Sequence, residues 1–104
     1  MLFSNERETE SDGLTALMAA CQYGRLNAAE VLIKSGADVN AKTLVQKMTA
    51  LMYASKAYVS KGGESLKLVK HLLRNGADKT AKDADGRNAY FYAGKDPEIR
   101  AVLK

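Results

Sequence analysis

Residues 15–42 read TALMAACQYGRLNAAEVLIKSGADVNAK, and the stretch returns, altered, as TALMYASK at 49–56 and HLLRNGADKTAK at 71–82. Thr-Ala-Leu-Met recurs 34 positions on, and the Gly-Ala-Asp that starts at Gly36 in the first copy starts at Gly76 in the second. Self-similarity at a period of about 20–50 residues marks a chain built from stacked units. A third, partial copy, DADGRNAYFYAG, begins at Asp83.

Each unit reads as two helices. Thr15 and Thr49 precede apolar residues at helical spacing and predict N-caps, with Asn88 in the same place in the third copy. The first helices are expected over Ala16–Tyr23 and from Ala50 to about Val59. Leu17, Ala20 and Cys21, then Leu51, Ala54 and Ser55, give each a narrow stripe of mostly small side chains. Gly24 ends the first of these. Second helices are expected over Leu26–Ser35 and Ser65–Asn75, with Val31-Leu32 and Leu72-Leu73 as core-facing pairs and a short charged one over Pro97–Leu103. Gly36 and Gly76 close them in a positive-φ conformation, and Lys34 and Arg74 sit in the last turn, where the helix dipole favours positive charge. Two such helices cannot bury their apolar faces alone, so the units must stack.

Composition narrows the function. The chain of 104 residues is short enough to be one domain, and no apolar run approaches the ~18–20 residues that cross a bilayer. MLFSNERETESDG at the start has neither a basic nor an apolar signal region, which makes the cytoplasm the default expectation for localisation. Residues 1–12 carry four carboxylates against Arg7, a net −3, whereas residues 42–82 carry nine Lys or Arg against Glu64 and Asp78, a net +7. Such a basic middle is either an electrostatic footprint for an acidic partner or an ordinary solvated repeat surface. No catalytic constellation is legible. His71 is the one histidine, and Cys21, the one cysteine, reads as a small buried hydrophobe. Gly62-Gly63 lacks the Gly-Lys-Ser/Thr of a phosphate loop, one Cys and one His do not make a zinc site, and Asp83 and Asp85 read as turn formers. No cofactor and no metal are expected.

Gly-x-Thr-Ala-Leu-Met-Ala-Ala at 13–20, Gly24, Val31-Leu32-Ile33 and Gly-Ala-Asp-Val-Asn-Ala at 36–41 together resemble an ankyrin repeat. The Thr-Ala-Leu-Met style resembles bacterial members of that family. The resemblance implies an all-α solenoid of helix-turn-helix units joined by β-hairpin-like loops, in one domain: a tail over 1–11, repeat 1 over 12–43, repeat 2 over 44–82 and a C-terminal capping half repeat over 83–104. Met18, Met52 and Phe91 stand where the family usually has His, and apolar packing between turns is expected to replace that residue's hydrogen bonds. Also implied are a noncatalytic role and a protein partner, bound across the hairpin tips and the exposed side of the first helices. Carried over position by position, that surface comprises Gln22, Tyr23, Lys42, Leu44, Val45, Met48, Lys56, Lys82, Ala84, Asp85, Arg87 and Lys95. A monomer or weak dimer is expected.

The alternative is nucleic-acid or anionic-surface binding through Lys42, Lys47, Lys56, Lys61 and Lys82, for which Tyr58 and Tyr53 alone make a poor stacking platform. A structural role within a longer repeat array is a third reading. Departures from the family pattern lie in two places. Repeat 2 has surplus residues over about 57–65, either a longer first helix or a protruding loop with Ser65 capping the next helix. TLVQKMT at 43–49 puts Leu44 and Val45 at a hairpin tip, where they either fold back on the next hairpin or meet a partner. The open side of repeat 1 is expected to be covered by Leu2 and Phe3, by a second copy of the chain, or by further repeats, with the fold-back of Leu2 and Phe3 preferred.

Overall fold

The computed structural model describes residues 13–56 and 64–104. The expectations placed on Leu2, Phe3, Tyr58, Lys61 and the Gly62-Gly63 turn therefore lie outside the described residues. Among the described residues six helices follow in three pairs: α1 (Ala16–Gln22) with α2 (Leu26–Lys34), α3 (Ala50–Ser55) with α4 (Glu64–Arg74), and α5 (Ala89–Tyr92) with α6 (Pro97–Leu103). Helix α1 packs on α3 and α3 on α5, while α2 packs on α4 and α4 on α6. The result is two parallel layers of helices, with no strand among the described residues.

The caps act as the sequence predicts. The Thr15 hydroxyl accepts from the Met18 N–H at 3.1 Å, the Thr49 hydroxyl from Met52 N–H at 3.3 Å, and the Asn88 side-chain oxygen from Phe91 N–H at 3.1 Å. Each satisfies one of the orphan donors of a first turn. Asp96 caps α6 by accepting from Glu98 and Ile99 N–H, with Pro97 at the first helical position. Gly36 and Gly76 have φ of 100° and 94°, and their neighbours Ala37 and Ala77 donate back to Leu32 and Leu72 carbonyls at 3.0 Å.

Leu17, Met18, Cys21, Leu51, Met52, Ala54, Leu68, Val69 and Leu72 form the centre of one continuous core. Small residues Ala20, Cys21, Ala54 and Ser55 keep the α1–α3 seam narrow, and the Ser55 hydroxyl is satisfied within its own helix by donating to the Leu51 carbonyl at 2.7 Å.

Four expectations need correction. Val31 is 62% exposed and does not face the core. Aligning the units on Gly36 and Gly76 matches Leu32-Ile33 with Leu72-Leu73, and Val31 with His71; Ala29 and Leu32 already occupy the inward direction, which leaves Val31 about 100° round the helix. Ser65 lies inside the first turn of α4 and does not precede it. Helix α3 closes at Ser55 with Lys56 as its C-cap, short of the end expected near Val59. The methionine positions also differ from one another. Met18 and Met52 are buried, and the Met18 sulfur closes a capping box by accepting from Thr15 N–H at 3.5 Å; Phe91, in contrast, is 56% exposed and does not pack between turns.

Lys47 has φ 57°, the one positive-φ residue other than glycine among those described. It stands two residues before the cap Thr49, where Gly13 and Gly86 stand before Thr15 and Asn88 with φ of 75° and 80°. A Cβ in this conformation crowds the following carbonyl.

Two stability measurements check this packing. Leu72→Ala removes a fully buried side chain and should cost about 2–5 kcal/mol, whereas Leu32→Ala, only partly buried, should cost less than about 2 kcal/mol in the same denaturant titration. Lys47→Gly should raise stability by about 0.5–1 kcal/mol, the relief at positive φ exceeding the entropy that glycine adds to the unfolded chain.

Candidate binding face at the hairpin tips and first helices

Two loops project beyond the first helices, and side chains hold both in shape. In residues 43–48 the Thr43 N–H donates to the Met48 carbonyl at 3.0 Å, and the Thr43 hydroxyl accepts from Met48 N–H at 2.9 Å. In residues 83–87 the Asp83 N–H donates to the Arg87 carbonyl at 2.9 Å, and one Asp83 carboxylate oxygen accepts from the N–H of Asp85 and Arg87. The loops are tied to one another: Ala84 N–H donates to the Gln46 carbonyl at 2.8 Å, and the Lys42 ammonium to the Lys82 carbonyl at 3.3 Å. At their base Asn40 donates to the Gly76 carbonyl and accepts from Asp78 N–H.

These bonds decide where the expected site residues stand. Leu44 and Val45 are 64% and 67% exposed at the tip. Leu44 leans on Gly13, in the turn before it: a Cβ on Gly13 would lie 3.1 Å from Leu44 Cγ. Tyr23, Lys42, Lys82, Ala84, Asp85, Arg87 and Lys95 are exposed, and Gln22 and Lys56 are partly so. Met48 is the exception. At 6% exposure it belongs to the core, because the Thr43 bonds turn its side chain inward, and it is withdrawn from the contact surface.

The first helices add Tyr92, which the sequence reading passed over, to Tyr53 and Phe91. Counted from the caps, Ala19, Tyr53 and Tyr92 share one position and Gln22, Lys56 and Lys95 another. The tyrosine row therefore runs across the stack, while Lys95 lies past the end of α5, after the positive-φ Gly94. The Lys56 ammonium sits 5.8 Å from the Tyr53 ring and 5.4 Å from the Tyr92 ring. The Arg87 guanidinium lies 4.9 Å from the Phe91 ring, which meets Tyr92 edge-on at 5.4 Å. Each cation over a ring contributes about 0.5–1 kcal/mol where solvent is near. Cations and rings thus fix each other in place.

Beneath them the Tyr92 hydroxyl donates to the second Asp83 oxygen. Burial pushes the Asp83 carboxyl up, but the Tyr92 hydroxyl, the Arg87 and Asp85 N–H groups and the Arg87 charge outweigh it and hold the carboxyl below its ordinary value. Burial and the Asp83 carboxylate push the Tyr92 hydroxyl above its own. Away from this face, Cys21 is fully buried and burial raises its thiol to about 12, which leaves it no thiolate at neutral pH. His71 lies partly exposed on the outer layer, between α2 and α4. Among the described residues no three His, Cys, Asp or Glu side chains gather to hold a metal ion, and no helix is long and apolar enough to cross a membrane.

Paired helices stacked in two layers with projecting, hairpin-like loops define a repeat solenoid. Residues 1–83 match the family described as "Ankyrin repeats (3 copies)", and the chain belongs to that family. It is 33% identical over 90 residues to the ankyrin repeat and KH domain-containing protein mask-1 of Caenorhabditis elegans, a match covering 86% of this chain and 3% of that one. It is 37% identical over 79 residues to the ankyrin repeat and SAM domain-containing protein 6 of Rattus norvegicus, covering 76% and 8%. With the ankyrin repeat and KH domain-containing protein 1 of Homo sapiens it shares 40% over 85 residues, covering 82% and 3%. The chain thus spans less than a tenth of the length of these relatives. They are animal proteins, and the bacterial likeness has no counterpart in them. Ankyrin repeats are in general noncatalytic modules of protein–protein interaction.

The Asp83 latch has a pH signature. Its carboxyl, depressed in the fold, adds stability that is complete above the unfolded value of about 3.9 and is lost as pH falls through the folded value. Tyr92, raised in the fold, adds stability that is complete below about 10 and is lost at more alkaline pH. Tyr92→Phe should shrink both losses, leaving on the acid side the contribution of Asp78, whose carboxyl is lowered by Thr80; urea titrations across pH check this.

Proposed function

We propose that this chain is a noncatalytic protein-binding module that takes its partner across the tips of residues 43–48 and 83–87 and the exposed side of α1, α3 and α5. The observation that carries this reading is Leu44 and Val45, two branched aliphatic residues exposed at a tip that is otherwise hydrogen-bonded into the stack. Leu44 touches Gly13 of the preceding turn, yet most of both side chains faces outward. They adjoin the aromatic and cationic rows, so one face combines apolar anchors with a polar surround, the composition of a protein interface. Gln22, Tyr23, Lys42, Lys56, Lys82, Asp85 and Arg87 complete it. A noncatalytic role is supported by Cys21, a thiol sealed in the core.

Binding of nucleic acid through Lys42, Lys47, Lys56 and Lys82 is the weaker reading. A cation already stands over Tyr53, Tyr92 and Phe91, so these rings are poorly placed to stack on successive bases.

The test replaces Leu44 and Val45 together by Asp. Both are exposed, so the melting curve should stay unchanged while capture of the partner from a lysate of the source organism falls at least tenfold. Capture that survives the double substitution removes this reading. A salt titration with duplex DNA separates the alternative, which demands a log–log slope of ~0.9 for each phosphate neutralised.

A further inference from the structure

We infer that the segment recognised by this face is an acidic, extended peptide stretch carrying aliphatic side chains. The inference rests on the binding face proposed above and names the chemistry of its partner.

Charge is the first argument. Lys42, Lys47, Lys56, Lys82, Arg87 and Lys95 all belong to the tips and to the exposed ends of the first helices. Among the described residues four carboxylates adjoin these six cations, and three have roles within the fold: Asp83 accepts from Tyr92 and from backbone N–H groups of its own loop, Asp78, beside Lys42, accepts from Thr80, and Asp96, next to Lys95, caps α6. Asp85 is exposed at the tip, and the six cations outnumber the four carboxylates. The face therefore keeps a positive balance, and an acidic partner is both drawn to it and oriented on it.

Placement of the cations is the second. Lys56 and Arg87 are held over rings at 4.9–5.8 Å, so little side-chain freedom remains for a partner to quench. Lys42 is tied to the next loop through the Lys82 carbonyl. Pre-positioned cations suit carboxylates displayed at intervals along an extended chain.

The aliphatic tip is the third. Leu44 and Val45 offer apolar surface beside the cations, which a phosphate backbone does not use and an apolar side chain between carboxylates does. The rings, already partnered by cations, act as supports and not as a platform for bases. An acidic peptide with aliphatic residues satisfies all three features.

The probe is a short fluorescent peptide of repeated Glu-Glu-Leu-Gly units, with a Lys-Lys-Leu-Gly counterpart and a single-stranded oligothymidylate for comparison. Fluorescence anisotropy on the full chain should show binding of the acidic peptide alone, weakening several-fold as salt is raised. Lys56→Glu with Arg87→Glu should abolish it. Because those side chains also touch rings, Lys82→Glu with Lys95→Glu is measured beside them; both are exposed, the fold should be unaffected, and affinity should fall at least about fivefold.

Equal binding of the basic peptide, preference for the oligothymidylate, or affinity unmoved in both charge-reversed variants at unchanged melting would each overturn the inference. Lysate capture distinguishes the two levels. If Leu44→Asp with Val45→Asp abolishes capture and Lys82→Glu with Lys95→Glu leaves it intact, the acidic partner is refuted and the binding face stands. Capture that survives both pairs refutes the face itself.

Discussion

Helix α3 has water on almost none of its surface, and the rest of the structure depends on that. Five of its six residues, Ala50, Leu51, Met52, Ala54 and Ser55, are buried, because α1 lies on one side, α5 on the other and α4 behind. A six-residue helix is far too short to form in water by itself. It exists here because its neighbours bury it, and those neighbours are of similar length and in similar need. Stability therefore belongs to the contacts between units more than to any unit alone, as in other one-dimensional stacks.

Polar contacts then set how the stack is aligned. Apolar packing of Leu and Met side chains tolerates small slips, whereas a hydrogen bond at 2.8–3.0 Å does not. Asn40 reaches from the base of one loop to both a carbonyl and an N–H of the next, and Gln46 with Ala84 repeats the tie at the tips. Together these fix the loops as a row. The same bonds that align the units thus present Leu44, Val45, Lys82 and Arg87 along one face.

That face is made of positions the fold leaves over. At the fourth place after each cap the residues are Ala19, Tyr53 and Tyr92, and at the seventh they are Gln22, Lys56 and Lys95. Of these side chains Lys95 is exposed and the others are only partly buried, whereas the second place holds fully buried Leu17 and Leu51 and, in the third unit, partly buried Tyr90. Tyr92 sits between the two roles. Its ring meets Lys56 and Phe91 at the surface, and its hydroxyl reaches down to Asp83, so the geometry of the binding face is tied to the integrity of the loop beneath it.

The sequence by itself determined the starts of α1, α3 and α5, the glycine-closed ends of α2 and α4 and the stacking, because each follows from a local rule: a hydroxyl or amide at the cap, freedom at positive φ, and apolar residues at helical spacing. It also placed Leu44, Val45, Lys82 and Arg87 at the surface, where position in the repeat suffices. Tertiary structure alone decided the fate of residues whose local pattern is ambiguous. Val31 and Leu32 are adjacent and equally apolar, and only the direction from which α4 approaches makes one a surface residue. Met48 looks like a tip residue until Thr43 takes both of its backbone groups and turns its side chain inward. Tyr53 and Tyr92 lie 39 positions apart, and nothing local brings them to one ammonium. Counting from the caps aligns them, but their meeting at Lys56 is a property of the stack, since it needs α3 and α5 side by side.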